Sequence, residues 1–184
     1  MPEERKKNIL ITGSPGCGKT TALLRLSEML RADGYIVGGI LSPEIRNGSY
    51  RSGFRIVDVL GGEGVLSHVN LYREDMPKVS RYGINLDDLD RISRSALSRR
   101  ADVFIIDEIG PMELRSQVFV SEVARVLDSD VPLAASVHYR TSWGFAGDVK
   151  SREDTETLVL NSGNRDALPD HLHELLSGLI RTHI

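Results

Sequence analysis

The run Gly13-Ser14-Pro15-Gly16-Cys17-Gly18-Lys19-Thr20 fits the spacing G-x-x-x-x-G-K-[ST] at every fixed position, and its flanks restrict what the chain can fold into. Before it, Asn8 to Thr12 is short, apolar and β-branched, as expected of a strand covered on both faces of a parallel sheet. After it, Ala22, Leu23, Leu26, Met29 and Leu30 recur at helical spacing up to about Asp33, and Gly34 supplies a stop. A strand, a glycine-rich turn and a helix in that order present backbone N–H groups at a helix N-terminus, where the helix dipole adds to their pull on an anion. The glycines let the backbone turn and approach phosphate oxygens closely. Lys19 is then expected against the β- and γ-phosphates, and the Thr20 hydroxyl beside Mg²⁺, a hard ion that takes oxygen ligands. The expected nucleotide-binding set is Gly13, Ser14, Pro15, Gly16, Cys17, Gly18, Lys19, Thr20 and Thr21. An incidental lysine on a glycine-rich turn, the competing reading, would not explain the strand and helix on either side. Cys17 occupies a variable position with no base nearby in sequence, so it reads as filler rather than as a nucleophile.

A second signal comes from Val103-Phe104-Ile105-Ile106, which runs straight into Asp107-Glu108. A buried strand here delivers two carboxylates at its C-terminal end, where ligands bind in open α/β sheets. Asp107 is expected to hold the Mg²⁺ through water, and Glu108 to orient or deprotonate a water attacking the γ-phosphorus. Lys19 and Glu108 are therefore the expected catalytic pair, and Thr20 and Asp107 the expected metal ligands. Gly110-Pro111-Met112-Glu113 then turns the chain, and Glu113 has two readings of equal weight, support of the two carboxylates or a cap for the helix beginning near Ser116.

Ile36 to Leu41 and Phe54 to Leu60 read as strands, separated by a hairpin-like excursion with Pro43, Asn47, Gly48 and Gly53. Asn85 can cap a helix carrying Leu89, Ile92, Ala96 and Leu97 on one face. A helix from about Gln117 to Leu127, strands at Pro132 to Val137 and near Thr157 to Asn161, and a closing helix from Leu168 to Ile180 complete the alternation. That order predicts an α/β fold with a mostly parallel central sheet. No repeat, low-complexity run or linker divides residues 1–184, so one domain is expected.

With 40% hydrophobic and 27% charged residues the chain can bury a core. Its 23 basic and 26 acidic residues leave a net charge of -3, which gives nucleic acid no global attraction while leaving a local basic patch open. No apolar run approaches the roughly 20 residues a membrane span needs. One cysteine and no signal-peptide core point to the cytoplasm. The oligomeric state is left open.

Charge developing on the γ-phosphoryl group favours an added cation, for which Arg140, Arg152 and Arg165 are candidates, each placed in a loop after a strand of the phosphate site. The sequence does not choose among them. His138 reads as structural, and His171 and His173, two apart on the last helix, face differently, so no zinc site is expected. Arg46, Arg51 and Arg55, with Tyr50 and Phe54, form a modest basic cluster that reads as a solvated hairpin ahead of a contact to nucleotide or RNA. Asn164-Arg165-Asp166 lacks the lysine and the spacing of a guanine-specific N-K-x-D signature.

Nearly the whole chain resembles the small nucleoside-triphosphatases first named from thermophiles, whose vertebrate relative is called cancer-related nucleoside-triphosphatase. The likeness rests on Ile11 to Thr21, on Gly39 to Glu44 with Arg46 and Gly53-Phe54, on Tyr82 to Asn85, on Ile106 to Gly110 with Met112-Glu113-Leu114, and on Asn164-Arg165-Asp166. Arg165, in the last group, joins the expected nucleotide-binding set with Asp107 and Glu108. The resemblance implies a RecA-like P-loop domain of three αβα layers that hydrolyses ATP, GTP and other triphosphates with Mg²⁺ and low base selectivity. Pro111 is a departure, since family members often carry a lysine after the Asp-Glu-Ile-Gly run. Two alternatives stand beside hydrolysis: phosphate transfer to a nucleotide or nucleoside, and a slow nucleotide-gated module for a protein or RNA partner.

Overall fold

The computed structural model describes residues 6–182. Asn8–Thr12 forms β1, in which Ile9 and Ile11 enter one apolar cluster and Leu10 enters another across the sheet. Val103–Ile109 (β8) divides the same way, with Val103 and Ile105 on the first side and Phe104 and Ile106 on the second. Continuous apolar runs form strands here because both faces of the sheet are covered. One cover is Lys19–Ala32 (α1) and Leu168–Thr182 (α5), joined through Leu23, Leu26, Leu172 and Leu176. The other is Leu86–Ser98 (α2), Gln117–Asp128 (α3) and Gly144–Ser151 (α4), joined through Leu89, Ile92, Phe119 and Val149.

The remaining strands are Val37–Leu41 (β2), Glu44–Asn47 (β3), Tyr50–Asp58 (β4), Glu63–His68 (β5), Lys78–Val79 (β6), Tyr82–Ile84 (β7), Leu133–Val137 (β9) and Thr155–Val159 (β10). Their order is β10-β1-β9-β8-β2-β4-β5-β7-β6, with β3 paired to β4. From β10 to β2 the neighbours are parallel, and from β2 onward every pairing is antiparallel. The sheet is thus mixed, parallel where the two motifs lie and antiparallel beyond β2. The expected excursion after β2 is the β3–β4 hairpin, and the strand expected from Phe54 begins earlier, at Tyr50. Strands β5 to β7 and helix α4 carry little periodicity and lie where the sequence pattern placed no element.

Asn85 caps α2 as expected, its side chain accepting from the Asp88 N–H. Gly39 lies in β2 at a φ of 128°, and a side chain there would collide with the Ile105 backbone, so glycine permits the close approach of β2 to β8.

Candidate active site

Because β1, β8, β9 and β10 are parallel, their C-terminal ends share one edge of the sheet, and the loop Gly13–Gly18 leaves β1 there. Gly16 and Gly18 take φ values of 75° and 107°, a left-handed conformation that side chains resist. Gly18 is thereby the N-cap of α1, offering no side chain to the first-turn N–H groups and leaving them to an anion. The Lys19 ammonium donates to the carbonyls of Gly13, at 3.0 Å, and Ser14, at 3.3 Å. Lysine and loop are therefore already folded together. Cys17 is half-buried, packed against the α1–α5 apolar cluster, with its thiol beside Gly13.

Across the strand edge the Thr20 hydroxyl donates to Asp107 Oδ1 at 3.0 Å, joining residues 87 positions apart. Asp107 is 4% exposed. Burial raises its carboxyl, the Thr20 bond opposes, the Glu108 charge adds to the rise, and the Ser42 N–H opposes; the net effect is a value of about 6. Two successive strand residues should point to opposite faces. Between Ile106 and Ile109 the β8–β9 register slips, and Glu108 takes a φ of 121°, rare for a residue with a side chain. This irregularity lets both carboxylates line one cavity of about 200 Å³, shared with Thr20, Ser42 and Glu113.

Glu113 begins a short 3-10 turn, Glu113–Arg115, and is buried. Its carboxyl accepts from the Gly110 N–H, and burial, reinforced by the charges of Glu108 and Asp107, pushes it well above the usual carboxylate range. Burial and the two neighbouring carboxylates thus both disfavour its charged form. The helix cap is Ser116 instead, accepting from Phe119 N–H at 2.9 Å and donating to Asp90. Of the two readings of Glu113, placement beside the carboxylates is the one the geometry realises.

The three candidate arginines separate. Arg152 does not follow a phosphate-site strand, as its sequence position implied: it precedes β10 and lies at the opposite edge of the sheet. There it donates to Asp154 at 2.8 and 3.0 Å, Asp128 at 2.8 Å and the Leu127 carbonyl at 3.1 Å, so it staples α3 to β10. Arg140 follows β9 and Arg165 follows β10, both exposed and both at the edge of the phosphate loop. The Arg140 guanidinium lies over the Tyr139 ring, itself stacked on His138. Lys150, which the motifs did not flag, holds this turn by donating to the carbonyls of His138 and Thr141, each at 2.7 Å, and burial lowers its pKa. Asn164 folds the β10–α5 loop, accepting from Asn161 N–H and donating to Val159 O. In the β3–β4 hairpin Arg46 and Arg51 pair with Glu44, and Arg55 with Glu63, which neutralises much of the basic cluster.

The donors at the carboxylate end, a hydroxyl beside a buried carboxylate, are all oxygen and suit a small hard dication that takes few protein ligands. Among the described residues no helix is long and apolar enough to cross a membrane.

Strand β9 stands between the loop-bearing β1 and the acidic β8, and the RecA-like branch of P-loop proteins separates its two motifs in this way. The chain falls in that class. A family model described as NTPase matches residues 8–173, and the chain belongs to that family. A protein named nucleoside-triphosphatase THEP1 from Methanosarcina acetivorans is 43% identical over 168 residues, 89% of this chain and 93% of its own. Another of that name from Methanopyrus kandleri is 42% identical over 172 residues, 91% and 93% of the two chains. Among solved structures, a human cancer-related nucleoside triphosphatase superposes with a TM-score of 0.80 at 29% identity, covering 93% of this chain and 98% of its own. THEP1 from Aquifex aeolicus gives 0.73 at 29%, with 92% and 98% covered.

Proposed function

We propose that the chain hydrolyses nucleoside triphosphates to diphosphate and phosphate, with Mg²⁺ held at Thr20 and Asp107. The observation that carries this reading is the meeting of Thr20, Asp107 and Glu108 in one cavity at the mouth of the phosphate loop. The backbone N–H groups of the loop from Gly13 to Thr21, Pro15 having none, and the Lys19 ammonium bind the polyphosphate, Lys19 giving up the carbonyl contacts it now makes. Mg²⁺ held there would supply charge neutralisation to the triphosphate. Glu108, off the β-ladder and partly exposed, takes the proton of the attacking water in line with the breaking bond. Arg140 approaches the γ-phosphoryl oxygens, because the end of β9 lies between the two motifs, while Arg165, outside β1 on the β10 side, contacts the nucleotide. Low base selectivity belongs to the same proposal.

The test is phosphate release from ATP, GTP, CTP and UTP with and without Mg²⁺, repeated with Lys19→Ala and Glu108→Gln. Release that needs Mg²⁺, weakened binding in Lys19→Ala, and retained binding without turnover in Glu108→Gln are expected. Near-normal turnover in Glu108→Gln would overturn the role given to that carboxylate.

A further inference from the structure

The cavity beside the carboxylates is larger and more apolar than hydrolysis requires. Thr20, Asp107 and Glu108 line its polar end, yet no residue from Gly13 to Lys19 touches it, so it runs from the γ-phosphate position away from the phosphate loop. Its far wall is apolar, built by Phe54 of β4, Leu66 of β5, Val79 of β6 and Met112. The Met112 sulfur is held by the Ser67 hydroxyl at 3.3 Å. An attacking water occupies about 30 Å³, whereas an apolar cavity of roughly 150 Å³ accepts a benzene ring. Part of the observed volume of about 200 Å³ belongs to the polar end at Thr20, Asp107 and Glu108, and the apolar remainder takes one small ring. Ser42, 9% exposed, also lines the cavity, and its hydroxyl has no hydrogen-bond partner. A buried hydroxyl left unpaired is unfavourable, and a polar group arriving with a ligand would satisfy it.

We infer that this cavity seats a second substrate, a small six-membered aromatic ring bearing a hydroxymethyl group, and that the enzyme transfers the γ-phosphoryl group to it in competition with water. The inference rests on the hydrolysis reading, since it uses the same triphosphate and the same Glu108. The ring packs on Phe54 and Met112, and the hydroxyl lies between Ser42 and Glu108. The hydroxyl oxygen forms a bond to the γ-phosphorus as the bond from that phosphorus to the β–γ bridging oxygen breaks. Its proton passes to the Glu108 carboxylate and then to solvent. The products are a phosphate monoester, the nucleoside diphosphate and one proton, with nothing oxidised or reduced.

The full chain with ATP and Mg²⁺ is to be followed by ³¹P nuclear magnetic resonance with benzyl alcohol or pyridinemethanol as probe, which resolves monoester from inorganic phosphate. Monoester formed in step with ADP, and inorganic phosphate release slowed by the probe, are expected. Val79→Trp, in the far wall of the cavity and away from the phosphate loop, narrows its apolar end and should reduce monoester about tenfold or more, with a much smaller loss of phosphate release without probe. Phosphate release with no monoester from either probe overturns the acceptor site and leaves hydrolysis standing. Absence of both products overturns the hydrolysis reading too. Monoester undiminished in a folded Val79→Trp protein overturns the cavity as the acceptor's seat; if that variant fails to fold, unslowed phosphate release in the unmodified protein does so.

Discussion

Glu108, the residue proposed to activate the attacking water, holds a strained backbone. A φ of 121° costs a residue with a side chain on the order of 1–3 kcal/mol, and the fold sustains it because the register slip at that point carries the carboxylate into the cavity. Glu108→Gly removes the strain and the carboxylate together. Its melting temperature is expected to equal or exceed that of the parent by up to a few degrees, with phosphate release abolished, as read by calorimetry and a phosphate assay. Glu108→Gln keeps the shape and is expected to lower turnover by about 10²–10⁴ with nucleotide binding retained, measured by turnover and calorimetric titration. A variant that lost binding and turnover equally would place the side chain in ground-state binding instead.

Among elements, the loops after β9 and β10 each carry an exposed arginine proposed for the phosphate site. Arg140→Ala is expected to lower kcat by roughly 10- to 100-fold with KM little changed, because it meets charge that grows only as the γ-bond breaks. Arg165→Ala is expected mainly to raise KM. Steady-state kinetics over a nucleotide range separates the two, and the opposite pattern would exchange the assignments. Arg152, stapling α3 to β10 at the far edge of the sheet, is expected to matter for stability alone. Arg152→Met should cost about 1–2 kcal/mol by denaturant unfolding and leave kcat and KM unaltered.

For the molecule as a whole, the buried acids set how stability follows pH. Asp107 titrates near 6 in the fold against an ordinary 3.8, so between those values the folded state holds more protons than the unfolded state. Stability therefore falls as pH rises from about 4 to 6, by on the order of 2 to 3 kcal/mol from this residue, and Glu113 extends the fall upward. Asp154 acts oppositely: Arg152 holds its carboxyl down at about 2, giving stability present above pH 4 that is lost as pH falls towards 2. Without Mg²⁺ the melting temperature is expected to peak near pH 4 to 5 and decline towards pH 7.5. Asp107→Asn should flatten the decline, and Mg²⁺ with nucleotide should raise the melting temperature more at pH 7.5 than at pH 5. A melting temperature that did not vary with pH would contradict the burial of these charges.

Local chemistry made much of this legible in the sequence. The loop Gly13 to Thr20 needs only short-range geometry, glycines at a turn and a helix start, so spacing alone placed it between β1 and α1. The doubly buried strands β1, β8 and β9 and the Asn85 cap were readable for the same reason, since both-sided burial and capping leave marks within a few residues. Tertiary structure alone decided what depends on distant partners. Strand periodicity would send Asp107 and Glu108 to opposite faces, and only the slipped β8–β9 pairing turns both into one cavity. Arg152 and Arg165 look alike along the chain, but strand direction sends one to each edge of the sheet. The apolar end of the cavity draws Phe54, Leu66, Val79 and Met112 from separate elements, and short edge strands such as β6 are held by their neighbours rather than by a pattern of their own.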